Sequence, residues 1–182
     1  MGKIIEQPPV KLICGFMWNA AVDIRPAIQI IQQNWGRFDA KTPEFDFSHT
    51  QYYLDEFGDH LKKQYVSFER MVSIDDIPDI KILSNEIEER FIHNGSRSVN
   101  IDPGYVADAK ILMATTKNLA HRTYIGKNIF ADLQLIFRRQ TYEPTPWTFA
   151  DMREPRMIEF FNGVREKYIE QLQSEVQHRG QF

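Results

Sequence analysis

A short, continuous run of apolar residues at positions 11–18, KLICGFMW, constrains the fold more than any other segment of the chain. The run follows Pro8 and Pro9, and its length and residue types are typical of a strand buried at the centre of a sheet. We therefore predict that the chain folds around a β-sheet and that residues 11–18 form one of its central strands.

The other apolar residues are spaced in two different ways along the chain. Alternation of apolar and polar residues predicts further strands, within the segments 37–50, 61–72 and 98–101, and in a hairpin over 121–139 whose loop lies at Gly126-Lys127-Asn128. Apolar residues three and four positions apart predict helices, within the segments 20–35, 76–95 and 154–173.

These elements describe an α+β (mixed α/β) protein, with a mixed, largely antiparallel sheet flanked by about four helices. The chain has 182 residues, 42% of them hydrophobic and thirteen of them Phe, which is enough to bury a substantial core. We expect a single globular domain over residues 1–182, with flexible ends at 1–9 and 174–182. The spacing does not determine the order of the strands in the sheet.

The overall charge argues against nucleic acid or an anionic membrane surface as a partner. The formal net charge is −3 and the pI about 6.0, whereas proteins that bind such partners usually carry a basic excess. No apolar run approaches the length of a membrane span, and the first ten residues lack the apolar stretch of a secretion signal. A weaker alternative is RNA binding through aromatic residues beside Arg138 and Arg139, namely Tyr52, Tyr53 and Trp147.

Cys14 is the one cysteine of the chain, and it lies within the central apolar run. A single cysteine cannot form an intramolecular disulfide, and it cannot build a metal site from several thiolates. Because free cysteine is among the most often buried residue types, we expect Cys14 to be a core residue. A reducing cytoplasm is the expected location of the protein.

Polar and charged side chains are concentrated between residues 98 and 132, at the ends of short apolar runs. Basic residues near a helix end can simply complement the helix dipole, but this accounts for one or two of the charges and not for the whole set. Arg suits bidentate recognition of phosphate or carboxylate, and Lys supplies a point charge. The block predicts a site for an anionic, phosphorylated ligand. The expected ligand-binding residues are Asn100, Lys117, Arg122, Tyr124 and Lys127.

Asp102 has two interpretations, and the sequence leaves both open. Followed by Pro103, it is typical of a helix cap, which would begin a fourth helix that ends at Thr115, Thr116 and Lys117. Alternatively, it is a functional carboxylate at the end of a strand, where open sheets bind ligands. His121 is similarly either a general acid–base or a hydrogen-bonded structural residue. Asp102 and His121 are therefore the candidate catalytic residues.

Metal binding is a further hypothesis for the same region. Oxygen ligands of a hard cation such as Mg²⁺ could come from Asp102 together with Asp46 and Glu86. The five histidines include no pair at a spacing typical of zinc sites. Neither GxxxxGK[ST] nor GxGxxG occurs, so a glycine-rich phosphate loop is excluded, and GxSxG is absent as well.

Several segments resemble a bacterial protein family, domain of unknown function 4416. The resemblance extends from about Lys11 to Arg165, and its most specific parts are NIDPGY and the blocks around TTKN and HRTYIGK. Where glycine is expected after Gly126-Lys127, this chain has Asn128, which tolerates a positive φ, so we expect the turn to form. The resemblance implies a stand-alone cytoplasmic bacterial domain, and it supplies no reaction or substrate. The similar segments are KLICG, FDFSHTQYY, LKKQYVSFE, SNEIE, VNIDPGYV, AKILMATTKN, HRTYIGKNIFAD, PWTFADMR and FFNGVR.

Two functions are compatible with these observations. The leading hypothesis is a protein that binds a phosphorylated small molecule or nucleotide, with Mg²⁺-dependent phosphoryl transfer or phosphoester hydrolysis as its chemistry if it is an enzyme. The alternative is a non-enzymatic interaction or assembly module in which the polar block is structural. A stabilising effect of anions would distinguish the first from the second.

Overall fold

A computed structural model of the chain describes residues 2–48, 57, 58, 60–93 and 95–179, without the side chains of His93 and residues 176–179. The α-helices of this part are α1 (Arg25–Trp35), α2 (Ile77–Glu89) and α3 (Pro155–Arg179). The strands are β1 (Val10–Asn19), β2 (Phe38–Lys41), β3 (Phe45–Asp46), β4 (Leu61–Val72), β5 (Ile92–His93), β6 (Ser96–Arg97), β7 (Val99–Ala107), β8 (Lys110–Thr115), β9 (Arg122–Gly126), β10 (Ile129–Arg138) and β11 (Thr141–Pro144).

Nine of these strands form one sheet. Its order is β11-β10-β8-β7-β1-β4-β2, with β3 beside β4 and β9 beside β10, while β5 and β6 form a separate two-stranded ribbon. The strand pairs of the described residues are all antiparallel. The predicted α+β class with a largely antiparallel sheet is confirmed.

Strand β1 is central, as the apolar run predicts, and it is buried on both faces of the sheet. Leu12, Cys14 and Phe16 point into a core covered by α1 and α2, while Ile13 belongs to the core beneath α3. Cys14 is fully buried, and burial raises the pKa of its thiol well above the usual range. The prediction that Cys14 is a core residue is confirmed.

Helices therefore cover both faces of the sheet, each through one apolar face. From α1 and α2 the buried apolar side chains are Ala27, Ile31, Trp35, Ile77, Ile80 and Ile87. From α3 they are Met157, Phe161, Val164 and Tyr168. No helix in the described part of the chain is long and apolar enough to cross a membrane.

The helix predicted from Asp102 to Lys117 is wrong. Residues 99–115 form the hairpin of β7 and β8, with a tight turn at Asp108 and Ala109. Both strands are buried on two faces, so their apolar residues are nearly continuous and fit a helical period by chance. Asp102 therefore lies within β7 instead of capping a helix, and α1, α2 and α3 are the long helices of the part of the chain that the structure describes.

The hairpin predicted over 121–139 is confirmed as β9 and β10. Its turn residues Lys127 and Asn128 have φ values of 50° and 60°, which lie in the left-handed region that two-residue hairpin turns require. Asn128 therefore supports the turn in the place where glycine was expected.

Candidate functional site

The β7–β8 hairpin opens at one end and leaves a gap in the sheet. Its strands pair from Ala107 and Lys110 to Gly104 and Met113, but β7 begins at Val99 and β8 continues to Thr115. Pro103 stands at the point where the pairing stops, and it has no N–H with which to extend the ladder. The two strands separate beyond this residue.

A small cavity of about 180 Å³ occupies this gap, and we call it the split-strand cleft. Lys81 and Asn85 of α2, Arg97, and Arg122 of β9 line it together with side chains of the separated strands. Four cationic side chains and one carboxylate, that of Asp102, are among its lining residues. The complete lining is Lys81, Asn85, Arg97, Asn100, Asp102, Met113, Ala114, Thr115, Thr116, Lys117, Arg122 and Phe149.

Asp102 is held in the cleft by two neighbours. The Asn100 side-chain amide donates to Asp102 Oδ2 at 2.6 Å, and Lys81 Nζ lies 3.3 Å from Asp102 Oδ1. The Asp102 side chain remains 30% exposed, whereas that of Lys81 is only 6% exposed. Lys81 Nζ also donates to the Ile101 carbonyl oxygen at 3.0 Å. The Asp102 carboxylate thus contacts the buried ammonium group of Lys81 and is also accessible from the cavity.

Glu88 anchors the same wall of the cleft from behind. Its side chain is 3% exposed, and it accepts from the Ile101 N–H at 2.7 Å and from Arg97 Nη1 at 2.6 Å. Burial raises the pKa of the Glu88 carboxyl, and the nearby charge of Asp102 raises it further, against the opposing effects of Lys81 and Arg97. Arg97 is fixed at the cleft by this buried carboxyl group.

Arg122 forms the opposite wall. Its Nε donates to Asp132 Oδ2 at 2.7 Å and its Nη1 to the Lys117 carbonyl oxygen at 3.1 Å. The Asp132 side chain is fully buried, and its Oδ1 has no hydrogen-bond partner within the described residues. The guanidinium plane of Arg122 is therefore oriented by an ion pair beneath the cleft.

The structure brings together Asn100, Asp102, Lys117 and Arg122 of the predicted site. His121 is not among the lining residues, but its Nε2 is 3.7 Å from Asp132 Oδ2. Its catalytic role remains a prediction.

The other predicted residues lie away from the cleft lining. Lys127 is exposed and pairs with Asp79 at 2.6 Å, and Tyr124 is 57% exposed on β9. Asp46 pairs with Lys62 on β3 and β4, and Glu86 is exposed on α2. Within the described part of the chain, no three His, Cys, Asp or Glu residues form a group that could hold a metal.

Sequence reasoning missed Lys81 and Arg97. Lys81 and Glu88 are seven residues apart on α2, and Ser84, fully buried, lies between them. This spacing places the three side chains along one line of the helix surface, next to the apolar stripe. The row of polar residues Lys81, Ser84 and Glu88 beside the apolar face of α2 indicates in the sequence that this helix packs against a polar region of the sheet.

The fold and the cleft define an antiparallel α+β protein with a cationic cavity between two separated strands. The chain belongs to the family described as Domain of unknown function (DUF4416), whose model matches residues 8–168. No curated protein and no solved structure matches the chain.

Proposed function

We propose that the protein binds a small phosphorylated metabolite in the split-strand cleft. The observation that carries the proposal is the convergence of Lys81, Arg97, Lys117 and Arg122 on one cavity of about 180 Å³. Cations on the walls of a low-dielectric cleft act together on an anion, because their fields are screened less than on an open surface. Arginine and lysine are also the side chains that most often bind phosphate oxygens.

In this proposal each wall has a distinct role. Arg122 and Arg97, whose planes are fixed by Asp132 and Glu88, offer forked donors to the phosphate oxygens. Asp102 accepts a proton from a ligand hydroxyl, or it shares Mg²⁺ with the phosphate, since Mg²⁺ often takes only one or two carboxylates from a protein. Phosphoryl transfer or phosphoester hydrolysis would follow from such positioning and charge neutralisation.

The test is thermal unfolding with inorganic phosphate and a panel of phosphorylated metabolites, with and without Mg²⁺. A ligand at a hundred times its dissociation constant adds about 2.7 kcal/mol, which is readily measured. Arg122→Lys and Lys117→Gln should weaken the effect, while Lys110→Gln, at an exposed position of β8, should not. Arg122→Lys keeps a cation beside buried Asp132, so it is preferable to alanine. A flat response of the parent to the whole panel would refute the proposal.

One observation favours the second candidate, an interaction or assembly module whose polar block is structural. Lys81, Arg97 and Arg122 each pair with a carboxylate of the same chain. In that case Asp102→Ala lowers the melting temperature because Asn100 and Lys81 lose their partner, and anions leave it unchanged. A cytoplasmic location is part of either proposal, supported by the single, buried thiol of Cys14.

A further inference from the structure

A stacked pair of aromatic rings, His121 and Trp147, lies beside the cleft. Their centroids are 5.2 Å apart and their planes differ by 19°. Trp147 is 39% exposed, whereas Trp18 and Trp35 are 4% and 5% exposed. Of the three tryptophans, Trp147 is therefore the one whose ring presents a substantial part of its surface to solvent.

The stack is joined to the cleft by a shared carboxylate. Asp132 Oδ2 is 2.7 Å from Arg122 Nε and 3.7 Å from His121 Nε2, so the ring of His121 and the guanidinium of Arg122 meet at one oxygen atom. On the other side, Phe149 lines the cleft and follows Trp147 by two residues. An aromatic surface therefore adjoins the wall that Arg122 contributes to the cationic cavity.

The loop that carries Trp147 is held in place by hydrogen bonds on both sides. The indole Nε1 donates to the Leu133 carbonyl oxygen at 2.7 Å, and the Phe149 N–H donates to Gln134 Oε1 at 2.7 Å. Arg153 donates to two carbonyl oxygens of the loop, at 2.8 Å and 2.6 Å. A surface fixed before binding loses little conformational entropy when a ligand stacks on it.

We propose that the His121–Trp147 stack binds the base of a mononucleotide whose phosphate lies in the split-strand cleft. This inference rests on the proposed function and narrows its ligand class from phosphorylated metabolites in general to nucleotides. A planar base has a π-face that stacks on indole, and stacking of this kind tolerates different bases. The imidazole of His121 backs the indole and keeps it parallel to the incoming base.

The cleft favours a mononucleotide over an RNA strand. A volume of about 180 Å³ corresponds to about six water molecules, which is room for one phosphate group and not for a chain of them. The net charge of −3 also opposes a polyanion. Of the residues named for RNA binding, Tyr52 and Tyr53 lie outside the described residues, and Trp147 belongs to the proposed nucleotide site.

The experiment measures binding of AMP, GMP, CMP and UMP, of ribose 5-phosphate, of inorganic phosphate and of a single-stranded oligonucleotide, by calorimetry and by tryptophan fluorescence. The parent should bind at least one nucleotide ~10-fold tighter than ribose 5-phosphate, which corresponds to about 1.4 kcal/mol. A nucleotide base that stacks on Trp147 should quench the fluorescence of its exposed indole. Ribose 5-phosphate, which has no base, should leave this fluorescence unchanged. Trp147→Ala should remove the preference and leave phosphate binding unchanged, whereas Trp147→Phe should retain most of it. Ile5→Ala, which shortens another exposed apolar side chain, is the matched control.

The outcomes separate this inference from the function on which it rests. Nucleotide preference that disappears in Trp147→Ala and persists in Trp147→Phe supports the inference. Equal binding of nucleotides, ribose 5-phosphate and phosphate, insensitive to Trp147, overturns it while the anion-binding cleft stands. Absence of binding by every compound overturns both. Tighter binding of a single-stranded oligonucleotide than of any mononucleotide also overturns it, in favour of RNA.

Discussion

Glu88 shows how a single residue links the core of the protein to its candidate site. Its carboxyl group lies behind the cleft, where one oxygen accepts the Ile101 N–H of β7 and the other accepts Arg97. The hydrogen bonds favour the charged form, but burial dominates, and the pKa is raised above the ordinary value of 4.5. The charged form of Glu88 therefore has a cost in the folded state that it does not have in the unfolded chain.

The raised pKa of Glu88 predicts the sign of a pH effect on stability. Between pH 4.5 and the higher pKa of the folded state, the native protein holds the Glu88 proton more tightly than the unfolded chain does. The contribution of Glu88 is thus fully present below pH 4.5 and is lost as the pH rises through the folded pKa. We expect the melting temperature of Glu88→Gln, relative to the parent, to increase over this range.

Melting curves of both proteins across the acidic and neutral range give this difference directly. Glu86→Gln, on the exposed side of the same helix, is the control for loss of one carboxylate. If the melting temperature of Glu88→Gln, relative to the parent, decreased with pH, the ion pair with Arg97 would have a larger effect on the pKa of Glu88 than burial has.

Part of the cleft could be predicted from single residues of the sequence. Asn100, Asp102, Lys117 and Arg122 were identified because polar side chains at the ends of apolar runs are seldom needed for folding. Lys81 was not identified, because a lysine on a helix is usually exposed and its burial depends on the separation of strands far away in the sequence. Tyr124 and Lys127 belong to the same segment of the sequence but do not line the cleft. Arg122 lies at the start of β9, next to the cleft, whereas the chain runs away from it toward the β9–β10 turn, which contains Lys127.

At the scale of elements, the close approach of β7 and β8 beside the split-strand cleft depends on Gly104, which pairs with Met113. A Cβ at this position would overlap the Leu112 carbonyl oxygen and would lie 2.6 Å from Met113 Sδ. We expect Gly104→Ala to lower the free energy of unfolding by about 1–3 kcal/mol, because the close strands would have to move apart. Urea unfolding measures this effect. Gly163→Ala, in α3, has open space around its Cβ and should be neutral or stabilising. Equal effects of the two substitutions would contradict the close approach.

The β10–β11 turn contains two residues in strained conformations. Arg139 and Gln140 have φ values of 49° and 67°, a region that favours Asn and Gly. Both side chains are exposed, so replacing them removes no core contact. We expect the double variant Arg139→Asn, Gln140→Gly to raise the free energy of unfolding by about 1 kcal/mol. Chemical denaturation measures the change, and a loss of stability would mean that the side chains have contacts that offset the strain.

The elements were predictable where the period and the length of the apolar pattern agreed, and not in the β7–β8 hairpin, where polar residues interrupt strands that are buried on both faces. The amphipathic helices α1, α2 and α3 show the 3.6-residue spacing of a single buried face, and β1 was recognisable by its short, wholly apolar run. The β7–β8 hairpin lacks both signals, and Asp102-Pro103 imitates a helix start. A strand forms there in place of a helix, because β8 diverges from β7 at Pro103 and the missing N–H of this proline is therefore tolerated.

At the scale of the whole molecule, a buried lysine ties three distant segments together. Lys11 of β1 is fully buried, forms an ion pair with Asp39 of the edge strand β2, and donates to Gln171 Oε1 of α3 at 2.7 Å. Asp39 also accepts from Ser67 of β4 at 2.5 Å. These contacts connect the central strand, the edge of the sheet and the long helix that covers one face.

The two partners of this ion pair should differ in what their removal costs. Asp39→Ala leaves the Lys11 ammonium fully buried without its counter-ion, and we expect a loss of about 3–5 kcal/mol in the free energy of unfolding. Lys11→Met should cost less, because the Asp39 side chain is 16% exposed and can turn to water and to Ser67. It follows that adding Lys11→Met to Asp39→Ala should restore part of the lost stability, since the buried charge is removed.

Denaturant unfolding of the parent, both single variants and the double variant forms a complete cycle. A double variant less stable than Asp39→Ala would show that Lys11 stabilises the fold through Gln171 and its own packing, and not through the ion pair.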